Sequence, residues 1–364
     1  MAIEEITITN FRNLLHTRLL PSPSTNLIIG NNGSGKTSLL ETIYYLGTAR
    51  SFRTPHNKFL INHEANEFTL FSKIRNDGAL IGVGISRDRN NVKIKVANQS
   101  VNSASRLAEL LPVQLINPDV HKLMEDGPRY RRRFIEWGVF HVKPSYLSLW
   151  QQCTHILKQR NATLRLTSGT KQLDYWDKAL CGIADQITKL RLEYITELQP
   201  VLDRMLSGIQ GLARITIQLK QGWPDNKYLL EALQESRKAD QKKGFTQYGP
   251  HRADLRIMAG ALKAKDVVSR GQQKIITALL KVAQVQCLVE AQNGSRPVLL
   301  VDDLPAELDE DFRKSLMKVI DDVPVQSFLT GTSLDTFPVA HLSKPFLVFH
   351  VKHGHVEPLK LSIQ

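Results

Sequence analysis

The sequence predicts an α/β protein: a mixed sheet with an antiparallel β-subdomain, interrupted by an inserted helical lobe. Three features carry that reading. Asn26-Leu27-Ile28-Ile29 is an apolar strand that runs into a glycine-rich turn and then a helix-forming run, Thr37 to Ile43. Val298-Leu299-Leu300-Val301 is an unbroken aliphatic run, the pattern of a strand covered on both faces of a parallel sheet. Between them Leu173, Trp176, Leu180, Ile183, Ile187, Leu190 and Tyr194 step by three and four residues, as an amphipathic helix does.

The remaining elements follow in order. Ile3, Ile6 and Ile8 among polar neighbours predict a strand over residues 2–9. From Phe68 to Val101, turn signals at Asn76-Asp77-Gly78 and Arg89-Asn90-Asn91 punctuate alternating segments and predict a β-meander. A helix is expected over Leu147 to Leu166, a turn at Thr167-Ser168-Gly169-Thr170, and a second helix that Pro200 should end or kink, with Val201 and Met205 resuming its stripe. Two brief helices predict a stubby lobe rather than a long rod. After Arg214 the α/β character returns, with Gln326 to Leu329 and Phe346 to Phe349 as further strands. The expected division is a head of residues 1–120 with 245–364, and an inserted lobe of 121–244.

Composition narrows the partners. The 364 residues are 42% hydrophobic, ample for a large core, and the net charge of +13 favours a polyanion such as nucleic acid. Cys153, Cys181 and Cys287 lie too far apart for a zinc motif, and a disulfide framework is not expected. Residues 1–10 lack a signal-peptide pattern and no run of about 18 apolar residues occurs, so no membrane partner and a cytoplasmic location are expected.

Gly30-Asn31-Asn32-Gly33-Ser34-Gly35-Lys36-Thr37 matches the phosphate-binding pattern G-x-x-x-x-G-K-[ST] throughout. Glycines let the backbone wrap a phosphate with its N–H groups inward, and the helix that follows, with Ser38 in its first turn, adds its positive end. Lys36 should reach the β- and γ-phosphates of ATP, and Thr37 should hold Mg²⁺. The strand Val298 to Val301 ends in Asp302-Asp303, a Walker B pair: Asp302 is assigned to Mg²⁺ and Asp303 to the attacking water. Lys36 and Asp302 stand 266 residues apart and the guanine-reading N-K-x-D motif is absent, which argues against an ordinary GTPase.

Ser269-Arg270-Gly271-Gln272-Gln273-Lys274, ahead of an apolar helix from Ile275 to Leu288, resembles the signature of ABC ATPases, with Arg270 where transporters have a second glycine. It is another anion site at a helix N-terminus. In ABC folds this site faces the phosphate loop of a second subunit, so each ATP is held between two chains. Ala306-Glu307-Leu308-Asp309 resembles the D-loop of that interface, with Asp309 its acidic member.

With these motifs in order, the chain resembles the RecF family of bacterial recombination mediators along essentially its whole length. The matching stretches are Asn10-Phe11-Arg12-Asn13, the phosphate loop with Glu41, Arg50-Ser51-Phe52-Arg53, Arg131-Arg132-Arg133-Phe134, Gly249-Pro250-His251-Arg252-Ala253-Asp254, the signature and the Walker B region. The resemblance implies an ABC-type head like those of SMC and Rad50 proteins, without their long coiled coil. It implies ATP-dependent homodimerisation on DNA, slow hydrolysis, placement of RecA at gapped DNA with RecR and RecO, replication-fork recovery and the SOS response. By the same resemblance Arg12 is expected at the nucleotide base or α-phosphate.

Three positions depart from the transporter pattern or need assignment. Thr330, in Thr330-Gly331-Thr332, occupies the switch position where transporters commonly have His. Asp303 is one methylene shorter than the usual Glu, which predicts poorer water positioning and slow turnover. Gln114, in Val113-Gln114-Leu115-Ile116, is the Q-loop candidate and a further Mg²⁺ ligand.

Residues 121–170 hold nine Lys/Arg against three Asp/Glu. Arg129, Arg131, Arg132 and Arg133 are its centre and the expected contacts to single- or double-stranded DNA; guanidinium forks grip phosphates without reading sequence. A solvated helix face or an internal ion-pair network accounts for the same residues. Three other functions stay open: the ATPase subunit of a membrane transporter, an SMC-like tether, and a small-molecule kinase. The basic insertion argues against the first, its short helices against the second, and the signature against the third.

Overall fold

The computed structural model describes residues 1–166, 170–292, 296–303 and 308–359. It divides into two compact units, Met1–Val120 with Lys274–Gln364, and His121–Gln273.

The first unit opens with β1 (Ala2–Phe11), β2 (Leu14–Leu19), β3 (Thr25–Ile29), α1 (Lys36–Thr48), β4 (Glu67–Asn76), β5 (Ala79–Asp88), β6 (Val92–Val96), β7 (Gln99–Ser100), α2 (Ala104–Leu110) and β8 (Val113–Ile116). The expected meander is present as β4 to β7, and β1 and β2 extend it into a six-stranded antiparallel sheet in the order β2-β1-β4-β5-β6-β7. Alternation explains this: Phe68, Leu70 and Ile74 of β4 are buried and their neighbours in sequence are not. Helix α1 packs its Leu39, Leu40, Ile43 and Leu46 into one core with Ile6, Ile8, Leu70 and Phe328. Phe11, Tyr45 and Phe68 meet there edge to face, with Phe68 centred 5.0 Å from Phe11 and 5.3 Å from Tyr45.

The second unit holds α3 (Lys122–Glu125), α4 (Pro128–Val142), α5 (Tyr146–Leu164), α6 (Thr170–Ser207), β9 (Ile215–Lys220), α7 (Leu229–Lys243), β10 (Asp254–Ala259), β11 (Leu262–Lys263), α8 (Ala264–Val267) and the first residues of α9 (Arg270–Ala291). Fully buried Arg160 on α5 ties the helices together, donating to Asp177 of α6 at 2.6 Å, Asp240 of α7 at 2.8 Å and Thr246 at 2.9 Å.

Two expectations about this unit change, and a third falls mostly outside the described residues. Residues 245–273 belong with the insertion rather than the head, because β10 pairs with β9 along its whole length, from Asp254 opposite Lys220 to Ala259 opposite Ile215. Pro200 does not end the second helix: α6 runs 38 residues with Pro200 inside it, roughly 57 Å of helix and far from stubby. Buried Leu198, Val201 and Leu202 hold it across the proline, and Gln199 bonds the backbone of Ile215 and Ile217 beside it. Of the expected turn, Thr167, Ser168 and Gly169 lie outside the described residues, and Thr170 already begins α6.

Two histidines of this unit set an acid limit. Burial pushes His141 of α4 down to about 3. Burial likewise pushes His251 down to about 4, against a hydrogen bond with Thr246 O. Both therefore stay neutral in the fold where the unfolded chain binds protons below about pH 6.5. Their contribution is complete above that pH and drains away as pH falls towards 4, at about 1.4 kcal/mol per pH unit for each histidine. Urea unfolding followed between pH 7.5 and 4.5 should show this steep loss; a flat profile would contradict it.

The chain returns to the first unit through the rest of α9, then β12 (Val298–Val301), α10 (Glu310–Asp322), β13 (Gln326–Gly331), β14 (Phe346–Lys352) and β15 (His355–Leu359). These complete a second six-stranded sheet, β15-β14-β3-β13-β12-β8, parallel except for β15. The fold is thus the P-loop α/β arrangement of ABC-type ATPases. The carboxyl ends of β3, β13, β12 and β8 share one edge, the place where open parallel sheets bind ligands.

Candidate functional site

The phosphate loop links β3 to α1 at that edge. Gly30, Gly33 and Gly35 have φ of 154°, 79° and 121°. At Gly30 a Cβ would lie 2.3 Å from Val351 O, so the loop's first residue admits no side chain. Asn31, Asn32 and Gly33 are exposed, while Ser34, Lys36 and Ser38 are buried. No side chain caps α1 and no acid sits in its first turn, leaving its positive end open to an anion. Lys36 folds back into the cradle, its Nζ donating to Gly30 O at 2.8 Å and Asn31 O at 3.2 Å. Among the described residues Ser34 Oγ is buried with no hydrogen-bond partner, an unmet donor of the kind a phosphate oxygen can satisfy.

The loop is held from behind. Ser34 O accepts from Asn13 Nδ2 at 3.1 Å and from Gly354 N, in the β14–β15 turn, at 2.9 Å. Neither support could be assigned from sequence. Asn13 lies within the Asn10-to-Asn13 motif without a stated role, and Gly354 is a hairpin glycine more than 300 residues away with no spacing rule to link it.

Walker B residues meet the loop across one strand. In register, β13 lies between β3 and β12, pairing Gly331 with Ile29 and Val301 with Leu329. Asp302 Oδ1 accepts from Thr37 Oγ1 at 3.0 Å and from Thr330 Oγ1 at 3.0 Å. The Asp303 amide donates to Thr330 Oγ1 at 2.8 Å, pinning Asp303 in the left-handed region at φ 46°. Such strain in a non-glycine residue concentrates at working sites. Burial raises the Asp302 carboxyl above its ordinary range, and the neighbouring Asp303 charge pushes the same way, against the Thr330 and Thr37 hydroxyls. Two crowded carboxylates beside a hydroxyl suit a hard cation. The Asp302 carboxylate with the Thr37 hydroxyl fits Mg²⁺, which is usually held by one or two carboxylates plus phosphate oxygens.

Gln114 is not at this edge. It lies inside β8 opposite Leu299, three residues short of Asp302, about 10 Å back along the strand. Its amide donates to Gln284 Oε1 at 2.9 Å, and its oxygen accepts from Leu115 N. The Asp302 amide bonds Ile116 O at 2.8 Å, so the next residue, half-buried Asn117, stands at the edge where Gln114 was expected.

Arg12 and Glu41 form a unit that the motifs hinted at without explaining. Asn10 and Arg12 both have positive φ, 57° and 51°, and Asn62 bonds the carbonyls of both. The turn aims the Arg12 fork at fully buried Glu41 on α1, with Nε at 2.5 Å and Nη2 at 3.0 Å. Ser51 Oγ donates to the same carboxylate, and Arg53 approaches it at 3.8 Å. Glu41→Ala should therefore cost about 3–5 kcal/mol in urea unfolding, because it strands Arg12. Adding Arg12→Ala should cost far less than the sum of the two single changes. A Glu41→Ala loss under about 1 kcal/mol would refute this.

The signature lies at the tip of α9. Ser269, Arg270 and the backbone at Gly271 sit where that helix starts, and Ser269 is exposed. Ser269 Oγ accepts from Gln272 N at 3.2 Å, while Gln272 Oε1 accepts from Ser269 N at 2.9 Å. This reciprocal capping box presets the tip. Asp309 caps α10, accepting from Phe312 N at 2.8 Å; Ala306 and Glu307 lie outside the described residues.

The four arginines of α4 divide in two. Arg131 spends its fork on Asp254, at 2.8 and 3.1 Å, and also bonds Asp126 O. Arg132 bonds Ala253 O at 3.2 Å. Arg131 ties α4 to β10 and Arg132 ties it to the residue before that strand, so both are structural rather than free for DNA. Arg129 and Arg133, one turn apart, are exposed and make no ion pair or hydrogen bond among the described residues.

The family model for the RecF/RecN/SMC N-terminal domain matches residues 2–357. The chain is 40% identical over 360 residues to a DNA replication and repair protein RecF of Pseudomonas syringae pv. tomato, covering 98% of each chain. The RecF of Pseudomonas putida strain F1 matches equally, at 40% with 98% of each chain covered. Among solved structures, that of the recombination mediator protein RecF-ATP in the RecFOR pathway superposes with a TM-score of 0.86 at 26% identity, covering 99% of this chain and 98% of that one. An SMC head bound to the C-terminal winged-helix domain of ScpA shares the fold alone, with a TM-score of 0.60 at 14% identity.

Proposed function

Because the chain belongs to the RecF family of DNA replication and repair proteins, we propose that it is an ATP-operated clamp on DNA. Its cradle binds ATP: backbone N–H groups of residues 30–38 surround the phosphates, Ser34 Oγ and Lys36 Nζ contact their oxygens, and Lys36 gives up its carbonyl partners to do so. Thr37 and Asp302 would hold Mg²⁺, which would supply positive charge to offset that of the phosphates. Asp303 orients the attacking water and Thr330 fixes both carboxylates. Arg12 lies beside the nucleotide, and Asn117 stands in for Gln114 at the metal side. Hydrolysis is slow, since the shorter Asp303 reaches the water poorly; single-turnover cleavage as fast as that of transporter ATPases would contradict this.

A second copy of the chain completes the site. Ser269, Arg270, Gly271 and Gln272 of that copy grip the γ-phosphate, and Asp309 lies along the shared interface. The observation that carries the reading is Ser269: a preset, exposed, serine-led helix tip, in a chain whose phosphate cradle is already complete. The ATP-paired clamp holds DNA without reading its sequence, at gaps and stalled forks. In the cytoplasm it acts with RecR, RecO and RecA in recombinational repair and SOS induction. Among the described residues no helix is long and apolar enough to cross a membrane. The test is DNA retention with and without ATP, which should be tight only with ATP; equal retention in both would contradict the clamp.

A further inference from the structure

Four cations in the second unit are left without a partner among the described residues. Lys220 at the end of β9, Arg256 on β10, Lys263 on β11 and Lys265 on α8 are all exposed, and none has an acidic partner among the described residues. They come from four segments, yet they line one cavity of about 180 Å³.

The register shows why they converge. On β10, Leu255 and Ile257 turn into the core while Asp254 and Arg256 face outward. Lys220 stands opposite Asp254, and Lys263 opposite Met258. Residues directly opposite on neighbouring strands share a face. The outer face of β9-β10-β11 is therefore a basic plate. Asp254 does not neutralise it, because the Arg131 fork and Leu255 N take up that carboxylate. Glu125 and Asp126 also line the cavity, two carboxylates against the four cations.

We infer that this face binds the phosphodiester backbone of DNA, with Lys220, Arg256, Lys263 and Lys265 as the contacts, in place of the internally engaged Arg131 and Arg132. The cavity is of a size to seat a phosphate group, and the Arg256 fork can take two of its oxygens. Cations spaced along a sheet rather than set in a deep pocket suit a repeating polyanion read by charge alone. The inference rests on the DNA clamp proposed above and names its contact surface.

The test uses the full chain with ATP and Mg²⁺, a fluorescent duplex with a single-stranded gap, and a salt series. The variant is Lys220→Gln/Arg256→Gln/Lys263→Gln/Lys265→Gln. A matched control, Lys171→Gln/Lys178→Gln/Lys238→Gln/Lys242→Gln, removes as much charge from exposed helix positions of the same unit. Each lost phosphate contact should flatten the slope of log K against log salt by about 0.9. The first variant should lose two to four such increments and bind at least about tenfold more weakly near 0.1 M salt, with ATP binding and melting temperature unchanged. The control should keep the wild-type slope. An unchanged slope in the first variant, or an equal loss in the control, overturns the inference. So does a first variant that keeps DNA but loses capture of poly-glutamate, which would make the face a protein dock. Wild-type chain that never binds DNA would instead sink the clamp itself.

Discussion

Lys36→Met should weaken ATP binding by at least about a hundredfold while leaving the nucleotide-free chain as stable as before, or more so. The two effects share one cause. Without nucleotide the Lys36 ammonium is buried and, among the described residues, held only by the carbonyls of Gly30 and Asn31. A buried cation compensated by two neutral acceptors is a desolvation cost, and a Met of similar length removes it. With nucleotide the same cation would meet phosphate charge instead of two neutral carbonyls. Losing one partner of such a pair typically costs about 2–5 kcal/mol of binding. Titration calorimetry with ATP and Mg²⁺, beside urea unfolding of the free chain, reads both. A variant that kept wild-type ATP affinity would remove Lys36 from the phosphate site. One that lost affinity only because it unfolded would give no support to a direct role.

Ser269→Arg should separate capture from pairing. Position 269 is exposed, so arginine fits there without disturbing a core. Losing the capping bond from Gln272 N to Ser269 Oγ costs about 1 kcal/mol of helix stability. ATP affinity of the single chain should stay within about twofold of wild type. Pairing should vanish, because a long cation would stand where a small hydroxyl has to approach the γ-phosphate bound by the other copy. ATP turnover and ATP-dependent DNA retention should fall with it, by an order of magnitude or more. Ser269→Ala, which removes the hydroxyl without adding bulk, should give the same pattern more weakly. If the arginine variant pairs and turns over as wild type does, the signature tip plays no part.

What could be read from the sequence depended on how far apart the cooperating residues lie. The cradle from Gly30 to Thr37 is contiguous, and its chemistry dictates its spacing, so position and fold could be assigned together. Asp302 and Asp303 followed because an unbroken aliphatic run marks the strand that delivers them. Gln114 was misplaced for a related reason: residue type pointed to it, but only the register of β8 against β12 shows which residue reaches the edge. Local rules gave way to packing in α6, where buried Leu198, Val201 and Leu202 outweigh the hydrogen bond lost at Pro200. The basic run of α4 looked uniform, yet helix geometry turns Arg131 and Arg132 inward and leaves Arg129 and Arg133 outside. Pairings across long stretches of chain, such as β9 with β10 or Gly354 with Ser34, leave no local trace.

Sedimentation of the purified chain over a range of ATP concentrations, with Mg²⁺, tests the shared-nucleotide arrangement most directly. The account predicts a single species near the 41.1 kDa of one chain without ATP. It predicts twice that mass once ATP saturates, and a Ser269→Arg chain that stays single at full nucleotide occupancy. A wild-type chain that remains single with ATP bound, or pairs equally well without it, would contradict the idea that ATP is gripped from both sides.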